Sequence, residues 1–170
     1  MVKPSSELEK AALARLKERN VTIEEIAELV YDLQTPYLEG LTMEYCLHNV
    51  EAVIRKREIQ NAILTGIELD VLAEEGKLAS PLQEIIANDE GLFGVDEILA
   101  LSIVNVYGSI GLTNFGYLDK LKPKVINRLD SVKEGEGINT FLDDIVGAIA
   151  AAAASRIAHA NPEEGTAGVN

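Results

Sequence analysis

The chain is poor in the residues that carry much familiar chemistry. It has no tryptophan, one cysteine and two histidines in 170 residues. A lone cysteine closes no disulfide within the chain, which suits a reducing compartment. Cys46, in the half-apolar stretch EYCLHNV, reads as a small core residue. His48 and His159 have no acids near them at zinc spacing, so neither a zinc site nor a histidine-based triad is expected. Basic residues are scarce as well. Fifteen Lys and Arg face 28 Asp and Glu, a net charge of −13. That balance argues against non-specific binding to nucleic acid and against docking on an anionic membrane. The opening MVKPSSELEK has no apolar core of a signal peptide. No uncharged apolar run reaches the roughly 20 residues of a membrane helix. Residues 95–112 and 138–159 come nearest, and an acidic pair interrupts each. The expectation is a cytoplasmic protein with no transmembrane segment. GSIG is too short for a phosphate loop and lacks the following Lys-Ser/Thr.

What is present is helical periodicity. Ser6 with Glu9, Thr22 with Glu25, and Ser80-Pro81 with Gln83 are helix-start signals. Ile23, Ile26, Ala27, Val30 and Leu33 fall on one helical face. Residues 43–65 read as the longest amphipathic helix, broken at Gly66 and resumed to Glu75. Residues 88–94 read as a loop, and 95–107 as an apolar helix in the middle of the bundle. Gly108, Gly111 and Gly116 suggest a flexible connection to a short turn at 117–121, which ends before Pro123. A short helix at 124–130, a loop at Gly135 and Gly137, and a long helix at 138–159 follow. The fold class is all-α: a single domain, residues 1–160, of roughly six main helices around a central apolar helix. Residues 161–170 form a flexible tail. Helices this apolar need cover, so a homo-oligomer is expected.

Two stretches combine apolar character with unpaired acids. Asp143 and Asp144 have no Lys or Arg within one helical turn; the positions three and four away hold Asn139, Thr140, Phe141, Val146, Gly147 and Ala148. Such charges need water, a metal, a proton or a distant cation. Residues 95–118 repeat the pattern, with Asp96 and Glu97 as their only acids and no base. Between the stretches lie Asp119, Lys122 and Asp130. Acids from separate segments meeting at one place suit Mg²⁺, which takes oxygen ligands and keeps several waters. A lysine beside them suits a phosphate. Adjacent helical residues point about 100° apart, so one acid of each doublet should face the site. Gly147 leaves room for a ligand or for a neighbouring helix. The structural alternative makes Asp96 the N-cap of its helix, with Glu97 favoured by the dipole. It is a poorer account of Asp143 and Asp144, which lie a turn inside a helix starting near Ile138 or Asn139, unless that helix starts at Thr140.

In order and at similar spacing, GVDEIL, YLDKLKP, RLD and GINTFLDDIVGAIAA make residues 94–160 resemble the phosphatidylglycerophosphatase A family. The resemblance implies a Mg²⁺-dependent phosphomonoesterase that removes the terminal phosphate of phosphatidylglycerophosphate. Carried over by position, Asp96, Glu97, Asp143 and Asp144 are the metal set. Asp119 and Asp130 are further ligands or a general base, and Lys122 binds phosphoryl oxygens. Membrane members of the family carry spanning helices and a glycine- and proline-containing N-terminal motif, absent here. The first 90 residues are amphipathic helices, as in the soluble YutG-like branch. The expected ligand is therefore a phosphorylated small molecule or a phospholipid head group. A different class of function is a non-catalytic helical oligomer or ligand-binding module that kept the family fold, with the alanine-rich helix as its seam. An all-α nucleotide pyrophosphohydrolase is a weaker match. Only Glu24 to Glu28 resembles its acidic motif, and helix capping explains Glu25.

Overall fold

The computed structural model describes residues 5–132 and 136–161. The expected loop at Gly135 and the tail beyond Asn161 lie outside the described residues. Every regular element described is helical: α1 Ser5–Glu18, α2 Ile23–Gln34, α3 Met43–Ile54, α4 Arg57–Glu74, α5 Leu82–Ala87, α6 Val95–Val104, α7 Gly108–Leu121, α8 Val125–Asp130 and α9 Leu142–Ala160. A 3₁₀ turn, Asn105–Tyr107, joins α6 to α7.

The bundle is built around α9. Residues Leu142 to Ile157 are buried with the single exception of Arg156. Alanine is the strongest helix former, and its small side chain lets helix axes approach to the short end of the usual 8–10 Å. Helices α2, α3, α6 and α7 pack directly on this helix, and α1 packs on the outer side of α4. The other apolar segment, at residues 95–107, sets Ala100, Ile103 and Val104 against the core and leaves Val95 and Ile98 exposed. By composition the span Val95–Leu121 is as apolar as a membrane helix, and only 33% of its most apolar window is buried inside the fold, but the 3₁₀ turn Asn105–Tyr107 divides it into two shorter helices.

Several boundaries differ from the sequence reading. The break in the long amphipathic helix lies at Arg55 and Lys56. The Gln60 side chain there donates to the carbonyls of Ile54 and Arg55, satisfying the end of α3. Helix α4 runs straight through Gly66, which is a packing glycine: a Cβ there would stand 2.3 Å from Ile145 Cδ1 and 3.1 Å from Phe141 Cβ. Residues 108–116 belong to α7, and only Gly108, with φ 76°, has a conformation that favours glycine. Thr22 and Glu25 form the expected capping box. Ser6 already lies within α1. Gln83 bonds Leu78 N and Ala73 O, tying α5 to the end of α4. Cys46 is fully buried, and burial pushes its thiol up to about 11.

Candidate functional site

The site forms where three chain segments end together. Helix α9 starts at Leu142, later than expected, so Asp143 and Asp144 stand in its first turn and not a full turn inside it. The positive end of the helix dipole favours acids there. The entry to α9 is held from outside. Asp70, buried on α4, accepts the N–H groups of Phe141 and Leu142 at 3.1 Å, which are unsatisfied donors of a helix start. Arg19, in the turn just after α1, donates to Ile138 O and Asn139 Oδ1, and Glu74 accepts Ile138 N–H at 2.7 Å. Asn139 in turn donates to Leu129 O on α8. Burial pushes the Asp70 carboxyl up to about 8, against the pull of these two N–H bonds and of Arg19.

Helices α6 and α7 form an antiparallel hairpin that brings residues 94–97 beside 118–122. Gly94, in the left-handed conformation, is the N-cap of α6, so Asp96 and Glu97 are first-turn residues and Asp96 is not the cap. Lys122 ends α7 with φ 44°. Its ammonium lies 2.9 Å from Asp143, 3.0 Å from Asp130 and 3.6 Å from Asp119. Against the effect of burial, the hydrogen bonds and charges of Asp143 and Asp130 hold this lysine above its ordinary value.

Asp89, Glu90, Asp96, Glu97, Asp119, Lys122, Asp143 and Asp144 all line one cavity of about 140 Å³. Seven carboxylates thus face one ammonium. Charge on this cavity is under-compensated, and the carboxyls show it. Burial first, then repulsion from Asp143, Asp119 and Asp96, pushes Asp144 up to about 8. Burial raises Asp143 to about 6 although Lys122 pulls it down. Asp89 is raised by burial and by Asp96. Asp144 is 7% exposed, and its carboxylate accepts no hydrogen bond from the described residues. Asp96 Oδ1 is buried without a hydrogen-bond partner among them. Among the described residues no three His, Cys, Asp or Glu side chains converge closely enough to cage a metal. One buried acceptor without a donor, Asp96 Oδ1, inside a surplus of negative charge nevertheless fits a hydrated divalent cation held by one or two carboxylates.

The structure therefore brings six of the seven sequence-selected residues to one cavity. Asp130 joins them through Lys122 and also lines an adjoining cavity of about 730 Å³, which shares Asp89, Thr140 and Asp143 with the first. Within the α6 doublet Asp96 turns inward and Glu97 is exposed at the rim. Gly147 faces Phe115 and Ile126, not the carboxylates. Asp89 and Asp70 escaped the sequence reading. Asp89 sat in what reads as a plain loop. Asp70 had a usable signal: it is an acid in the middle of the Ile59, Ile63, Gly66, Ile67 stripe of α4.

An all-helical domain whose carboxylates gather at the start of its central helix is the class that fold and site define. The profile of one family, Phosphatidylglycerophosphatase A, matches residues 21–159. The chain belongs to the phosphatidylglycerophosphatase A family, in its YutG-like branch. It is 60% identical over 154 residues to the uncharacterized protein YutG of Bacillus subtilis (strain 168), covering 91% of this chain and 92% of that one. The crystal structure of the low temperature requirement C protein from Listeria monocytogenes superposes with a TM-score of 0.90 at 61% identity, covering 94% of this chain and all of that one. The crystal structure of Bacillus subtilis YpjQ superposes with a TM-score of 0.89 at 53% identity, covering 95% of this chain and 99% of that one.

Proposed function

We infer that this protein is a Mg²⁺-dependent phosphomonoesterase acting on phosphatidylglycerophosphate or a phosphomonoester related to its head group. The observation that carries the reading is the cavity at the start of α9, where Asp96 Oδ1 is buried without a donor and seven carboxylates share one lysine. Family membership supports the reaction class. Asp96 together with Asp143 or Asp144 would hold the hydrated cation, with Glu97 at the rim. A bound divalent cation polarises a phosphoryl group and lowers the pKa of an attacking water. Asp119 and Asp130, both partly exposed and paired with Lys122, would accept the proton of such a water. Lys122 holds the acids together in the ligand-free state. It binds phosphoryl oxygens by exchanging a carboxylate partner for them. The α9 N-terminus adds a positive dipole end.

The assay is Mg²⁺-dependent phosphate release from phosphatidylglycerophosphate and from a panel of soluble phosphomonoesters, with Asp144→Asn as control. Release from none of them, or undiminished release by the variant, refutes the reading. The engagement of Lys122 by three carboxylates favours one alternative, a non-catalytic module in which this lysine replaces the metal. Calorimetry separates the two, because such a module shows no Mg²⁺ binding that depends on Asp143 or Asp144.

A further inference from the structure

Among the described residues, eight of the twelve exposed large hydrophobic side chains lie between Leu92 and Leu121. Val95, Ile98, Ile110, Tyr117 and Leu121 place them along the outer face of the α6–α7 hairpin, and Leu92 at its mouth is 96% exposed. Soluble chains seldom leave so continuous an apolar face open. The hairpin is also electrically polar. At one end stand the seven acids of the cavity, with Glu90 and Glu97 exposed at its rim and outnumbering the exposed Lys120 in the last turn of α7. At the other end, the 3₁₀ turn, Lys56 Nζ lies 4.8 Å above the Tyr107 ring, and Arg55 is exposed beside it. His159 Nε2 approaches Tyr107 O at 3.4 Å at the same end. The ten residues of α6 separate the two ends by about 15 Å, beyond the Debye length of about 8 Å at physiological salt.

We propose that this face is a twofold interface with a second copy of the chain, packed with the two hairpins antiparallel. That arrangement covers the apolar face and sets the acidic rim of each copy against the Lys56 end of the other. A parallel twofold places acids against acids, at a cost. An anionic bilayer meets the same acids and the net charge of −13 and is repelled. The partner's Lys56 then adds positive charge beside a cavity short of it. The interface does not depend on catalysis, so it stands or falls separately from the proposed reaction.

The test is sedimentation velocity of the full chain at micromolar concentration. The expected mass is twice 18.4 kDa, falling to the single-chain value for Ile98→Asp with helical circular dichroism retained. Charge exchange gives a second measurement at solvent-accessible positions. Lys56→Glu and Glu97→Lys should each weaken self-association by roughly tenfold or more, and mixing the two variants should restore the pair. A single-chain mass for the unaltered protein overturns the proposal. So does a dimer indifferent to Ile98→Asp, a mixture no tighter than either variant alone, or co-sedimentation of a monomer with anionic vesicles that Ile98→Asp abolishes.

Discussion

Replacing Asp144 by Asn should make the metal-free protein more stable, and the gain should depend on pH in a defined direction. Asp144 is buried, lacks a donor among the described residues, and faces Asp143, Asp119 and Asp96. Its carboxyl is raised from 3.8 to about 8. The folded state therefore binds the proton more tightly than the unfolded chain. The associated stability is complete below pH 3.8 and is lost as the pH rises to about 8. At about 1.4 kcal/mol per pH unit, that interval sets a ceiling of about 6 kcal/mol. Water at the open mouth and movement of Lys122 screen the charge, which brings the expected value to about 2 kcal/mol. For a chain of this length that corresponds to roughly 4–8 °C in Tm. Asn keeps the shape without the charge, so thermal melts in chelator should show this gain at pH 8 and almost none at pH 4. Added Mg²⁺ should then raise the Tm of the unaltered protein and leave the variant unmoved. A variant less stable than its parent at pH 8, or a gain independent of pH, refutes the assignment of a cation-deficient site.

Two glycines should respond oppositely to alanine. Gly66→Ala forces Ile145 and Phe141 to shift and should cost about 1–2 kcal/mol despite the helix preference of alanine. Gly147→Ala meets only ordinary contacts at 3.5 Å and beyond, so thermal melts should show no loss and up to about 1 kcal/mol of gain. Asp70→Ala leaves the N–H groups of Phe141 and Leu142 buried without an acceptor. Urea unfolding should show a loss of about 2–3 kcal/mol, and an unchanged midpoint refutes the capping role. Cys46 should resist iodoacetamide at pH 8 in the native protein and react promptly in urea, as read by mass spectrometry, because only the thiolate attacks.

The acid doublets were legible because an isolated charge in an apolar run violates a local rule that any reader of the chain can apply. Asp119, Lys122 and Asp130 stood out only by lying between the two acidic stretches, and the family pattern supplied their roles, since nothing local distinguishes them from a solvated face. Asp89 was illegible because a loop acid is unremarkable until its neighbours are known. The helix boundaries at Gly66 and at residues 108–116 misled for a related reason. Glycine is both a breaker and a close-packing residue, and only the opposing surface decides which.

By itself the chain determined that the protein is helical, where Thr22 caps α2, that α9 is the small-residue helix, and that two acidic pairs lacked local partners. Those properties depend on neighbours within a turn or two. The tertiary structure decided the rest. It made α9 the centre, started it late enough to put Asp143 and Asp144 in the first turn, capped that turn with Asp70 from α4, and chose Asp96 over Glu97 to face inward. It also gave Lys122 three carboxylates at once. Each of these contacts joins residues distant in sequence, and burial, which sets the charge balance of the site, exists only when the helices have packed.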